Sequence, residues 1–392
     1  MSALLTRPQS DGSDARQRTP SFEMTTKIVA RALGLSTRDL FEAFIPAKAE
    51  HLAGVVELRR RTCGLSTTWD DSAYLDWRYS FGSSVKGRGT CWVLVHRDRV
   101  IGMVGTENIE LVDDDGVMPA ISTMDLAVDA EFADSGLGIW MNMRLCGGVP
   151  LAITIGSNAQ SVSIVSRYFR RIPDRRSYVY PIDLRRYLAK TITLPWIGTL
   201  LGSGLNVMMS MWRIVALRGS NELEIRRIAR FDAAFQPLID QARHAGELHI
   251  RKSLGFLNWR LFESPRSKYI VWGAYQAGRP VGSIAILEQS IDRSMTQVEM
   301  VDWLLATADE RKIFRNLCRE VIVHAAKLKS DRVVVTAYHG RSERLLRSFG
   351  FVRRVSKFET IGIAGSDLAQ VARATQNKNW CVTEINTDRD GV

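Results

Sequence analysis

The sequence predicts an α+β protein that contains one fold twice in tandem, each copy a mixed central sheet of six or seven strands with helices on both faces. Three observations lead there. Residues 73–102 read AYLDWRYSFGSSVKGRGTCWVLVHRDRVIG and residues 255–282 read GFLNWRLFESPRSKYIVWGAYQAGRPVG. In each, an aromatic-Leu-Asp/Asn-Trp-Arg cluster leads through a loop into an apolar strand, a polar turn and a strand reaching Gly. Trp77 and Trp259 are 182 residues apart, and Gly102 and Gly282 are 180 apart. The periodic segments that follow come in the same order in both halves. The length of 392 residues suits two domains of about 150 residues each and is too long a period for a solenoid.

The first copy is expected over 41–189. Its helix at 51–64 carries Leu52, Val55 and Val56, followed by polar Arg59–Arg61. Segments 91–96 and 100–111 alternate as a hairpin across an Arg-Asp-Arg turn. Segment 122–130 reads as a strand, with Ser122, Met124, Leu126 and Val128 on one face and Thr123, Asp125 and Ala127 on the other. A helix at 137–146, a strand at 151–156, a helix at 158–173 and a closing strand at 177–184 complete it. The second copy, 223–365, repeats the order. Its hairpin is 269–276 with 281–289, and its counterpart of 122–130 is 297–306. Thr307 and Glu310 have capping-box spacing before a helix with Ile313, Phe314, Leu317, Val321 and Ile322 on one face. A strand at 332–339, a short helix at 342–354 and a last strand at 355–363 follow. Residues 1–40 read as a mobile tail, rich in Ser, Arg, Gln and Pro at the start, and 366–392 as a C-terminal segment.

Bulk composition narrows the partners. A net charge of +11 is spread along the chain with no basic run of five, so no nucleic-acid partner is expected. Five scattered cysteines without a Cys-x-x-Cys argue for a reducing compartment and against disulfides or a metal site. The expected location is the cytoplasm. From Thr191 to Trp212 the chain carries no charge. Pro195, Gly198, Gly202 and Gly204 make this 190–222 linker region a weak candidate for a membrane span. A helix packed between domains, or lying peripherally on the inner membrane face through 191–212, is the expectation.

The chemistry-bearing stretch is STMDLAVDAEFADSGLG, 122–138. A strand ends at Val128, and Gly136-Leu137-Gly138 opens a helix. Glycines there let backbone N–H groups approach a pyrophosphate at a helix N-terminus. This strand–loop–helix resembles the acyl-coenzyme A loop of the GNAT (GCN5-related N-acetyltransferase) superfamily, here Ala133-Asp134-Ser135-Gly136-Leu137-Gly138. Asn158, Gly350-Phe351, the tandem arrangement and the Asn-Trp-Cys-Val-Thr ending resemble GNAT-like proteins found with bacterial exopolysaccharide synthesis. There are departures. Ala133 stands where the family has Arg or Gln, and the second copy reads ADERK (308–312) in place of the loop. The family's proton-donating Tyr is Val165 in the first copy and Leu346 in the second.

The resemblance implies N-acyl transfer from acetyl-coenzyme A or a longer acyl-coenzyme A to a small amine or amino sugar of a surface polysaccharide. Leu126, Ala127, Val128, the loop 133–138 and Asn158 would bind the acyl-coenzyme A. Asp125 is the candidate base, with Asp302 at the matching place; Glu107 and Glu299 are weaker ones, and Tyr168 is the candidate acid. His339, beside Tyr338 at a strand end, is a further candidate base. Trp77-Arg78 and Trp259-Arg260 read as core aromatics each with a packed Arg. Two other classes stay open. One is a non-catalytic GNAT-like scaffold; the other is an aminoacyl-tRNA-dependent transferase, which would bring a long charged helical arm that is not evident here.

Overall fold

The computed structural model describes residues 21–63, 72–81, 89–156, 161–172, 175–216, 222–241, 246–292, 295–337, 340–354 and 361–387. In chain order the strands are β1 (Phe44–Pro46), β2 (Gly89–His96), β3 (Arg99–Asp113), β4 (Gly116–Val128), β5 (Ala152–Ile155), β6 (Arg170–Ile172), β7 (Arg176–Pro181) and β8 (Glu224–Ile228). They continue with β9 (Leu248–Ile250), β10 (Ile270–Gln276), β11 (Arg279–Asp292), β12 (Met295–Leu305), β13 (Arg332–Ala337), β14 (Val352–Arg354), β15 (Ile361–Ala364) and β16 (Trp380–Cys381). Among the described residues they form two mixed sheets. One has the order β1-β2-β3-β4-β5-β15-β6, with β9 against β3 and β16 against β9; the other has the order β14-β7-β13-β12-β11-β10-β8.

Each sheet is built around an antiparallel meander, β2-β3-β4 or β10-β11-β12, followed by a parallel neighbour, β5 or β13. A parallel neighbour needs a crossover, and the helices Leu137–Gly147 and Glu310–Lys327 supply it. The repeat seen in the sequence is kept in the register. Gly102 faces Val128 and Gly282 faces Leu305. Three residues before these partners stand Asp125 and Asp302. Trp77 and Trp259 sit on matching helices, Ser72–Tyr79 and Leu254–Phe262. Their rings stack on one another, with centroids 4.4 Å apart and an interplanar angle of 18°. Equivalent patches of the two copies therefore meet, as in a two-fold dimer. Trp77→Phe is expected to cost about 1 kcal/mol in urea unfolding, the worth of such a ring pair beyond its buried area.

The closing strands lie where the sequence reading did not put them. β7, expected to close the first copy, lies between β13 and β14 of the second sheet. β15, expected to close the second copy, lies between β5 and β6 of the first. The two copies have exchanged their last strands. Tyr178, Tyr180 and Ile182 alternate into the second core, among Val333, Val335 and Phe351. Ile361 and Ile363 enter the first, beside Ile153 and Ile172.

The expected mobile tail holds a packed helix. Phe22–Leu33 is capped by Ser21 and buries Val29, Ala30 and Leu33; a second helix, Thr37–Glu42, buries Leu40. Burial of this apolar stripe against Trp140 and Leu137 outweighs the polar composition further upstream. The C-terminal segment also joins the first sheet. β16 pairs with β9, and Arg175 and Glu384 form a buried ion pair at 2.7 Å. The capping box expected at Thr307 does not form. Asp309 precedes the helix in a left-handed conformation, φ +57°, without a side-chain cap. The 342–354 segment is a helix, Gly340–Ser348, followed by β14.

The uncharged stretch is helical, Pro195–Ala216, and lies along the helix Arg185–Thr191. Gly198 and Gly202 allow the contact, since a Cβ on Gly202 would stand 2.6 Å from the Arg185 Cα. Asn206 accepts the Leu184 N–H at 2.9 Å and donates to Asp183 at 2.8 Å. Among the described residues, no helix is long and apolar enough to cross a membrane.

Candidate functional site

The site begins where β4 and β5 part. They pair in parallel only from Ile121 to Thr123, and β4 then runs on to Val128 alone on that side. On its other side β4 bulges. Met103 faces Ala127 and Gly105 faces Met124, so Asp125 and Leu126 together oppose Val104. Asp125 takes the left-handed region, φ +51°. The expected alternation of faces is therefore broken at Asp125. An L-residue there costs roughly 1–2 kcal/mol, so its side chain has to be well held.

Asp125 is buried. Arg59 Nη1 lies 3.3 Å from its Oδ1, both side chains being 3 % exposed. The Tyr79 hydroxyl donates to Oδ2. Tyr79 fits because two strand residues beneath it are glycines. A Cβ on Gly89 would come within 2.9 Å of the ring, and one on Gly105 would overlap the phenol. Burial alone would raise the Asp125 pKa. The Arg59 and Arg78 guanidiniums and the Tyr79 hydrogen bond outweigh it and hold the carboxyl below its usual range. Tyr79 is pushed well above 10, by burial first and the facing carboxylate second. At neutral pH Asp125 is ionised and Tyr79 neutral. Arg78, also buried, donates to the Tyr74 hydroxyl at 3.2 Å and stands 3.6 Å from Glu107. Glu107 thus pairs with Arg78, whose charge also acts on Asp125. Tyr168 packs against the cluster of Cys146, Val165 and Phe169, which Ile121 of β4 also joins.

Beyond Val128, Asp129 pairs with Arg61 at 2.9 Å and Arg99 at 3.1 Å. A 3-10 turn, Ala130–Ser135, follows, with Ala133 and Asp134 exposed. Gly136 takes φ +81° and leads into the 137–147 helix. The Ser135 hydroxyl accepts the Leu137 N–H at 3.2 Å. Among the described residues no acceptor meets the N–H groups of Gly138 and Ile139. Gly138 has a packing role too, since a Cβ there would stand 3.3 Å from Val128 Cγ2. The 22–33 helix lies over this turn, with Val29 beside Gly136 and Thr26 accepting the Trp140 indole N–H at 3.0 Å. Asn158, Tyr338 and His339 lie outside the described residues.

The second copy keeps the splayed pair and changes its surroundings. β12 and β13 pair from Gln297 to Met300, then part. Asp302 accepts from Lys252 Nζ at 2.5 Å and the Thr383 hydroxyl at 2.8 Å. Ala285 and Leu261 stand where the first copy has Gly105 and Tyr79. A cavity of about 600 Å³ lies at the end of β12, lined by Trp303, Leu304, Leu305, Lys252, His249 and Glu310 among others. By register, Trp303–Leu305 match Leu126–Val128. Glu299, a weaker candidate, accepts from Gln289 at 2.8 Å, away from Asp302.

Sequence reasoning missed Arg59 and Tyr79. Arg59 did carry a signal. It continues the spacing of Leu52, Val55 and Val56 on the helix Leu52–Cys63, so it falls on the apolar face. Tyr79 carried another, since it and Gly105 differ together from Leu261 and Ala285. Gly105→Val is expected to drive Tyr79 off Asp125 and cost about 2–3 kcal/mol. Gly105→Ala joined to Tyr79→Leu should cost less than the sum of the two single changes, which a double-mutant cycle in urea measures.

No protein-family model and no curated protein sequence matches the chain. Solved structures do. A GCN5-related N-acetyltransferase from Anabaena variabilis aligns at TM-score 0.55 and 10% identity, over 82% of this chain and 71% of that one. A probable N-acyltransferase from Enterococcus faecalis aligns at 0.53 and 10%, over 83% and 72%. Saccharomyces cerevisiae N-myristoyltransferase, solved with bound myristoyl-coenzyme A, aligns at 0.52 and 9%, over 82% and 77%. At such identities the likeness is one of fold. The chain has the mixed-sheet architecture of two GNAT-like domains.

Proposed function

We propose that this protein transfers an acyl group from acyl-coenzyme A to an amine, with the first copy holding the acyl-coenzyme A. The observation that carries this reading is the parted β4/β5 pair, bulged at Asp125 and followed by Gly136 and a helix with open N–H groups. The gap beside Leu126, Ala127 and Val128 suits a narrow pantetheine arm. The N–H groups of Gly138 and Ile139 suit a pyrophosphate. Exposed Ala133 and Asp134 add no cation there, so the backbone would do the holding. The cavity at Trp303–Leu305, with Glu310 and Lys252 on its wall, suits a small polar acceptor such as an amino sugar.

In the reaction the acceptor nitrogen attacks the thioester carbonyl, the C–S bond breaks, and the amine proton leaves to water or a base as the thiolate gains one. N–H groups of β4 freed by the loss of β5 would meet the developing oxyanion. Asp125, tied to Arg59 and Tyr79, serves to hold the bulge, and Glu107, beside Arg78, supports the same charge balance. Tyr168 remains the candidate proton donor to the thiolate.

Isothermal titration with acetyl- and longer acyl-coenzyme A tests the reading. Gly136→Glu should abolish binding; with φ +81° to satisfy, it should also cost about 1–2 kcal/mol of stability. Asp309→Ala should leave binding unchanged. Ala133→Arg, at an exposed site, should tighten binding, more at low salt than at high. If Ala133→Arg binds no acyl-coenzyme A at millimolar concentration, the protein is a GNAT-like scaffold instead.

A further inference from the structure

The helix Pro195–Ala216 has one face spent on the fold and a wider one spent on nothing described. Gly198, Gly202, Asn206 and Met209 turn inward. Trp196, Leu200, Leu201, Leu205, Val207, Met208 and Met211 turn outward, with Trp196, Leu200 and Met211 each about two-thirds exposed, at 66%, 67% and 66%. An apolar surface of this extent is uncommon on a soluble protein and marks a contact.

We infer that this face docks on an anionic lipid surface. Charge argues for it. Between Asp183 and Glu222 the chain holds Arg185, Arg186, Lys190, Arg213 and Arg218, and no acidic residue; Arg185 pairs with Asp183 and Arg186 with Asp331, so the excess charge comes from Lys190, Arg213 and Arg218. Lys190 and Arg213 bracket the uncharged run in the sequence, which places a cation at each end of it for anionic headgroups. Exposed Tyr187 and Trp196 stand at one end, the residue types that favour the interface. Size argues against a second copy as the occupant. A helix of 22 residues is about 33 Å long and about 10 Å wide, or about 330 Å². That is under half the ~800 Å² per partner of a standard interface. The helix lies flat, because no described helix can span. The inference is independent of the acyl-transfer reading.

Sedimentation of the full chain with vesicles tests it. The wild type should pellet with equimolar phosphatidylcholine and phosphatidylglycerol, and less as salt rises. Phosphatidylcholine alone should hold it weakly. Leu200→Asp with Met211→Asp should cut partitioning at least tenfold with an unchanged circular dichroism spectrum, since both side chains are exposed. Wild-type protein that stays in solution with the anionic vesicles would overturn the inference. So would a dimer in light scattering that the double variant turns into a monomer.

Discussion

Asp125→Ala is expected to lower unfolding stability by roughly 3–5 kcal/mol, because it leaves the Arg59 guanidinium buried without its carboxylate. Tyr79 loses its acceptor at the same time, and the left-handed backbone loses the side chain that holds it. Asp125→Asn should fall in between, keeping an acceptor and losing the charge. The linkage has a definite sign. A carboxyl held below its usual range in the folded protein stabilises fully above about pH 4. That share is lost as pH falls through the lower folded value. The gap between wild type and Asp125→Asn should therefore narrow below pH 4. Chemical denaturation at several pH values measures it. A base free to exchange protons with substrate would behave differently, with Asp125→Asn folding normally and losing only turnover.

Separating the copies is expected to unfold both. Residues 1–220 made alone would leave β5 and β6 without β15, and β7 without either neighbour. Residues 221–392 made alone would expose the core that Tyr178 and Tyr180 close. Each half should be insoluble or lack a cooperative transition, and co-production should restore one soluble complex. Two halves that melt cooperatively on their own would show that the exchange is dispensable.

The duplication was legible because Trp77/Trp259 and Gly102/Gly282 keep a near-constant offset, and the β-register honours it from Val128 and Leu305 to Ala127 and Leu304, beyond which Asp302 faces Ala285 while Asp125 lies in the bulge. The strand exchange was not legible. The alternation of Tyr178, Tyr180 and Ile182 says that one face is buried, and not which sheet buries it. The bulge at Asp125 was hidden for a similar reason. A bulge adds one residue to a run that still alternates on either side, and only the partner strand exposes the slip. The 22–33 helix was lost to composition. Its neighbours upstream are polar, while its own Val29, Ala30 and Leu33 form a stripe. The glycine loop was found from sequence, but its geometry adds a packing reason for Gly138 that no spacing could supply.

A structure of the full chain soaked with a non-hydrolysable acyl-coenzyme A tests the acyl-transfer reading most directly. The expected result is a pantetheine arm between β4 and β5 beside Leu126–Val128, with the pyrophosphate on the N–H groups of Gly138 and Ile139, and the cavity at Trp303–Leu305 left open for the acceptor. A ligand lodged against Trp303–Leu305 and Glu310, with the first copy bare, would contradict it.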